Sequence, residues 1–365
     1  MPDVDSISPS AAAATAGPTL PTQPSFVHLS DAEKASGKWT RANMQRAVEI
    51  LHRDGLLAIS NAVDLAHVDK LRESMMQTAK EIKAAAFEKG VAAFNHGLAT
   101  NFLMSAPLAD PELRFEDVFS NPFIVAIVEA YLGPNVNLTL LTANCALANT
   151  TERQPVHKDA PWLHPNAPYM LNTNLALSDF TPENGSTEFW LGSHAGTTAW
   201  EQLWPSADSL TPLCDVNEKA MEERRRMGRP GAQVRVPAGT VTLRDMRTWH
   251  AGMPNTTDED RIMTAVGYSA AWFPEPERKE EAPESARPLL TRLTNTYLNF
   301  IPDDQWLAKC QNWDLNDPDA IRLPDVPGHR KTKQAPGEET EWVALNEVVP
   351  TGVRFVKGEK ADVKY

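Results

Sequence analysis

Apolar positions first recur along the chain with a helical period. Over residues 40–52 they fall at Met44, Ala47, Val48 and Leu51, which predicts a helix with one buried stripe. A short apolar run over 56–60 follows Gly55 and predicts a strand. Asp64 then stands where a cap is needed for a long amphipathic helix reaching about residue 85, its stripe formed by Leu65, Val68, Leu71, Met75 and Ile82. Residues 121–132 predict another apolar helix, stopped by Gly133 and Pro134.

Beyond residue 134 the pattern shortens. The segments 135–148, 169–179, 188–191, 232–236, 240–244 and 262–272 are β-branched or alternating, with Pro, Gly and Asn clusters between them, and predict strands. Helices first and short strands later predict a mainly β fold with flanking α: an antiparallel sandwich or jelly roll with helices packed outside. A charged helical insertion is expected over 216–227 and a further helix over 289–300. Residues 1–25, rich in Ala, Ser, Thr and Pro, read as a disordered lead-in. The domain is expected to span 26–274, with 275–365 an extension that packs back through Trp306 and Trp313.

Composition narrows the function. At 365 residues the chain can bury a core without staples, and Cys145, Cys214 and Cys310 form no CxxC pair that would suggest a disulfide framework or a zinc site. A net charge of −13 argues against nucleic acid or an anionic membrane as partner. The one basic knot, Arg224 to Arg226, follows Glu222 and Glu223 and reads as a solvated helix face. No apolar run approaches the ~20 residues that span a bilayer. The N-terminal stretch has no basic start or apolar core, and the chain ends in DVKY, so a cytoplasmic protein is expected.

Candidate chemistry gathers at two places. His157 and Asp159 stand two apart on an extended segment, so their side chains point to one side and can grip one ion. Such a pair also arises by chance. A second His from a distant strand would complete a facial triad suited to non-haem iron. His250 is that candidate, and Arg261 follows it by eleven residues at the start of an apolar strand. A guanidinium entering a buried strand needs an anionic partner, either a structural Asp or a bound dicarboxylate.

These residues carry a resemblance. With the segment from Ala176 to His194, which contains Glu183-Asn184-Gly185 and Gly192-Ser193-His194, they make the chain similar to the phytanoyl-CoA dioxygenase family of iron(II)/2-oxoglutarate oxygenases. The likeness runs over about residues 48–273. It departs from the family pattern at Leu191, where a Pro is usual, and at Asn174, where many members have Trp. It implies a double-stranded β-helix, with Fe(II) held by His157, Asp159 and His250. It also implies 2-oxoglutarate clamped by Arg261 through two parallel bonds, with Gln154 and Asn174 beside it, and O2 as the third reactant. Oxidation of a substrate C–H bond would accompany conversion of 2-oxoglutarate to succinate and CO2. A carboxylate at 159 favours hydroxylation, desaturation or ring chemistry over halogenation. The expected substrate is a small, fairly apolar metabolite of secondary metabolism, and a homodimer is the expected assembly. The rivals are a metal-dependent isomerase or hydrolase on the same scaffold, or a small-molecule-binding protein without catalysis.

Weaker candidates surround this core. Trp162, His164 and Tyr169 could wall a substrate pocket or simply pack. Asn172 and Asn174 share one strand face and matter only if that face is interior. Asn95, His96, Thr100 and Asn101 form a polar patch. His194 is expected to fix a turn by hydrogen bonding without touching the metal.

Overall fold

The computed structural model describes residues 21–88, 100–206, 208–273 and 280–311, together with two short strands, His329–Lys331 and Trp342–Ala344. Asn95, His96 and Trp313, like residues 1–20, lie outside the described residues.

Five helices precede most of the strands: α1 (Asp31–Ser36), α2 (Arg41–Asp54), α3 (Leu65–Glu88), α4 (Glu116–Phe119) and α5 (Pro122–Leu132). Local chemistry sets their ends. The Thr40 hydroxyl caps α2, Asp64 Oδ1 accepts from the Ala66 N–H at the start of α3, and Asn121 caps α5 ahead of Pro122. Gly55 ends α2 at φ 71°, and a Cβ there would lie 2.4 Å from Thr248 Oγ1, so no larger residue fits. Two elements carried no strong periodic signal. One is α1, held by a Ser30–Glu33 capping box, and the other is β1 (Ser25–His28), which pairs in parallel with β2 (Leu56–Ser60).

The remaining strands are β3 (Asn101–Ser105), β4 (Asn137–Ala146), β5 (Met170–Ala176), β6 (Glu188–Phe189), β7 (Ala232–Gln233), β8 (Val241–Asp245), β9 (His250–Ala251) and β10 (Arg261–Ser269). The charged helix α6 (Glu218–Arg226) is inserted before β7. A large sheet runs β1-β2-β8-β5-β10-β4, and a small one runs β7-β6-β9. One face of the large sheet buries Leu57, Ile59, Leu171 and Val266 in the same cluster as Leu51, Leu71, Met75 and Ile127 from the helices. Each such side chain contributes about 1.5–3 kcal/mol when fully buried. The other face is turned toward the small sheet. This is the expected strand-dominated, helix-flanked fold.

Two expectations need correction. Residues 289–300 do not form a helix. A single turn, α7 (Arg287–Leu290), gives way to β11, whose residues Asn295–Thr296 pair in parallel with β4. The β-branched, Asn-rich run there finds a strand edge to extend, which outweighs its weak helical period. Nor is the basic knot wholly solvated. Arg225 and Arg226 pair with Glu218 and Glu223 at the surface, but Arg224 is buried, donates to the Leu191 carbonyl and lies over the Trp249 ring. Trp306 does pack back into the main core, and its indole donates to the Glu281 carbonyl.

The extension also carries a group with a pH consequence. Burial pushes the Glu280 carboxyl from 4.5 up to about 8, although its oxygen accepts the Leu141 N–H at 2.8 Å. The folded chain keeps this proton up to about pH 8, whereas the unfolded chain releases it near 4.5. Stability therefore falls as pH rises through that window. Glu280→Gln keeps the acceptor and removes the titration. We expect it to flatten the loss of unfolding free energy between pH 5 and 8.5, by on the order of 2 kcal/mol after allowing for the partial exposure of the group. Parallel curves for the two proteins would show that Glu280 does not titrate in this range.

Candidate metal centre

His157 and His250 meet as an antiparallel pair, each main-chain N–H bonding the other's carbonyl at 2.9 and 3.0 Å. Their rings lie 4.2 Å apart. Asp159, two residues on, turns to the same side, and the intervening Lys158 points away to donate to the Thr198 carbonyl at 2.6 Å. Asp159 Oδ1 lies 3.6 Å from His157 Nε2, and Oδ2 lies 3.5 Å from His250 Nε2. One ligand atom from each of the three residues falls within 4.8 Å of the others.

The surroundings prepare these atoms as ligands. His157 Nδ1 lies 2.8 Å from the Pro155 carbonyl and His250 Nδ1 lies 3.1 Å from that of Thr248, so each Nδ1–H donates and Nε2 carries the ring lone pair. Burial, helped by the Arg244 charge, drives the His250 pKa well below its ordinary value, so this imidazole is neutral. Burial alone would raise the Asp159 carboxyl. The Arg244 guanidinium, through its charge and its hydrogen bond, outweighs it and holds the group well below the usual carboxylate range. Two imidazoles and one carboxylate are the donor set that suits iron(II) with open positions.

The triad opens into a cavity of about 110 Å³ between the two sheets. Its floor is a set of rungs across the large sheet: Arg244, Asn172, Gly267 and Leu140; then Asn174, Ala265 and Thr142; then Met263, Asn144 and Leu103; then Arg261, Ala146 and Asn101. The central strand β10 offers only Gly267 and Ala265 to the first two rungs, and this leaves the hollow. A Cβ on Gly267 would meet Leu140 at 2.7 Å and Asn172 Oδ1 at 2.8 Å.

Arg261 stands in this wall in an arrangement that was not expected. It has no Asp partner among the described residues. Its Nε and Nη2 donate to the carbonyls of Asn184 and Gly185 at 3.1 and 2.9 Å, and its plane lies over the Phe180 ring. The guanidinium thus grips the Glu-Asn-Gly turn with two of its five N–H bonds, and the edge formed by Nη1 and the second N–H of Nη2 stays available for two parallel bonds to a ligand carboxylate. Nη1 is buried and without a partner. Burial lowers the guanidinium to about 10, which leaves it charged at neutral pH. An orphaned cationic nitrogen in the wall of a metal cavity fits the far carboxylate of 2-oxoglutarate.

The other candidates divide. Gln154, Asn101, Asn172 and Asn174 line the cavity. The Gln154 amide is tied on both sides, accepting from the Gly252 N–H at 2.8 Å and donating to Asn101 at 3.2 Å, so it braces the wall. Trp162, His164 and Tyr169 are not among the lining residues. Tyr169 is fully buried, in ring contact with Phe273 at 4.5 Å and with His164 and Trp162 beyond 6 Å, which makes this trio packing. His194 donates to the His52 carbonyl, the turn-fixing role expected of it. Sequence reasoning missed Arg244, Asn144, Thr142 and Thr187. Arg244 carried the same signal that singled out Arg261, a cation in an apolar strand.

Comparison with known proteins bears on this geometry. The sequence profile of the phytanoyl-CoA dioxygenase family (PhyH) matches residues 51–263, more than half of the chain. The chain belongs to that family. The matched span of this phytanoyl-CoA dioxygenase family member holds both imidazoles, the carboxylate and both cavity guanidiniums. Among its relatives, "Dioxygenase af480" of Aspergillus fumigatus is 28% identical over 238 residues, 62% of this chain and 67% of that one. "Iron/alpha-ketoglutarate-dependent dioxygenase penM" of Penicillium thymicola is 28% identical over 213 residues, 54% and 61% of the two chains. The match therefore spans about two thirds or less of the length of these relatives. A solved structure, the epimerase SnoN in complex with Fe3+, alpha ketoglutarate and nogalamycin RO, is 20% identical and covers 64% of this chain and 85% of its own, with a TM-score of 0.46. No helix among the described residues is long and apolar enough to cross a membrane.

Proposed function

We propose that this chain is an iron(II)- and 2-oxoglutarate-dependent dioxygenase that oxidises a small organic molecule, by hydroxylation, desaturation or ring chemistry, in secondary-metabolite biosynthesis. The observation that carries the reading is a conjunction in one cavity. The donor triad of His157, Asp159 and His250 faces a wall in which Arg261 keeps a buried cationic nitrogen without a partner. The family membership and the naming of relatives such as penM support the same cofactors.

Within this reading His157 and His250 offer Nε2, and Asp159 offers an ionised oxygen steadied by Arg244. Arg261 Nη1 receives the far carboxylate of 2-oxoglutarate, and burial keeps bulk water from competing for that bond. Bound iron and 2-oxoglutarate would supply the oxidising chemistry, with O2 consumed and succinate and CO2 released. The residues of the chain hold, orient and shield.

Anaerobic titration of iron(II) and then 2-oxoglutarate into the protein tests the reading. A weak visible charge-transfer band should grow to one equivalent. Iron binding with no band would favour a metal enzyme that does not use 2-oxoglutarate. Failure of folded protein to bind iron would leave a small-molecule-binding role.

A further inference from the structure

Asp159 is held differently from the two histidines. Each imidazole is turned by a main-chain carbonyl of its own segment, Pro155 for His157 and Thr248 for His250. The Asp159 carboxylate has one hydrogen-bond donor among the described residues, Arg244 Nη2, which meets Oδ2 at 2.5 Å. That donor belongs to the other sheet. Arg244 lies on β8 of the large sheet, its backbone fixed by pairing with Leu56 of β2 on one side and Asn172 of β5 on the other. Asp159 follows His157, whose segment pairs with His250 of β9 in the small sheet. The two side chains are 7% and 17% exposed, so water does little to weaken their bond.

The two carboxylate oxygens stand almost alike toward the imidazoles. Oδ1 lies 3.6 Å from His157 Nε2, and Oδ2 lies 3.5 Å from His250 Nε2. The triad alone therefore does not choose between them, and an ion could take both. Arg244 breaks that symmetry. An ion on Oδ2 would share one oxygen with a guanidinium, and two cations so close repel strongly where water is scarce. On Oδ1 the ion stands further from the guanidinium, and Oδ2 keeps its charge-assisted bond. The number of oxygens used matters for the chemistry. A six-coordinate ion held by three protein atoms keeps three open positions. The keto acid end of 2-oxoglutarate takes two of them, and O2 needs the third. A carboxylate that used both oxygens would remove one.

We propose that Arg244 is a positioning residue of the metal centre, occupying Asp159 Oδ2 so that Asp159 ligates through Oδ1 alone and three positions stay open. This rests on the reading that His157, Asp159 and His250 hold the metal. It gives a reason for a buried arginine on β8 whose only carboxylate partner among the described residues is a metal ligand.

The test uses full-length protein loaded with Mn(II), a six-coordinate ion whose effect on water proton relaxation counts the waters bound to it. Wild type should carry about three. Arg244→Met keeps an apolar stem and removes the donors, which frees Oδ2 for the metal, so the count should fall to about two. Arg244→Gln, too short to reach Asp159, carries the same expectation if Arg244→Met does not fold. Arg244→Lys restores a cation with N–H groups and should return the count to about three. An arginine with a merely structural role would weaken manganese binding without lowering the number of waters on each bound ion. A wild-type count of about two, or an unchanged count in a folded Met or Gln variant, overturns the proposal. So does a rise to about four, which would mean that Asp159 has left the metal. Failure of wild-type protein to bind manganese would instead remove the metal-centre reading beneath it.

Discussion

Asp159→Ala is expected to lower metal affinity more than ~100-fold and to abolish turnover, because loss of an outer partner alone commonly costs 10–100-fold and this change removes a ligand. The substitution also exposes a second dependence. Arg244 donates to Asp159 at 2.5 Å with both side chains largely buried, so the alanine leaves an uncompensated guanidinium in the sheet. Breaking such a pair costs about 3–5 kcal/mol, and a clear drop in melting temperature should accompany the loss of iron. Asp159→Asn keeps an acceptor for Arg244 while removing the charge, so it should recover part of the stability and little of the metal affinity. Calorimetric metal titration and thermal melts of both variants separate the two roles. Near-native iron binding in well-folded Asp159→Ala would remove this residue from the metal centre.

Arg261→Leu is expected to raise the 2-oxoglutarate requirement by about 10- to 100-fold, the worth of a buried charge-assisted hydrogen bond. It should also loosen the turn at Asn184 and Gly185, whose carbonyls lose their donors. Arg261→Lys distinguishes these effects. A lysine keeps a cation over Phe180 and can bond one carbonyl, so the fold should hold, but it cannot serve the turn and the ligand together. The expected signature is a raised apparent KM for 2-oxoglutarate with kcat changed much less. An unchanged KM in folded Arg261→Lys would move the far carboxylate to Arg244, the other cavity guanidinium with a free N–H.

Legibility in the sequence followed the range of the interactions concerned. Residues 56–60 form a strand as expected, and Asp64 and Asn121 start helices where their side chains foretell it, because caps and short periods are local physics. The triad was legible for the same reason, since a two-residue spacing fixes a common side. The strand β1 pairs with a segment about 30 residues away, and β3 depends on pairing with β4, so neither is written in its own few residues. The 289–300 stretch departs from its helical period because β4 offers it an edge that no local window reveals. The same limit applied at the site. Whether the face carrying Asn172 and Asn174 looks inward, and whether Arg261 has spare donors, are decided by tertiary neighbours.

The aim of the two imidazoles depends on almost nothing distant. Each ring is steered by a carbonyl two residues behind it in its own chain, from Pro155 and from Thr248, and the two segments are locked by their mutual main-chain bonds. Backbone atoms do not mutate. The walls of the cavity can therefore be rewritten residue by residue, and the substrate exchanged, while the histidine half of the donor set keeps its bearing. Asp159 is the exception, since a side chain steers it. Arg244 joins the two, since it holds Asp159 and also lines the cavity, and its replacement would disturb the metal centre and the cavity wall together.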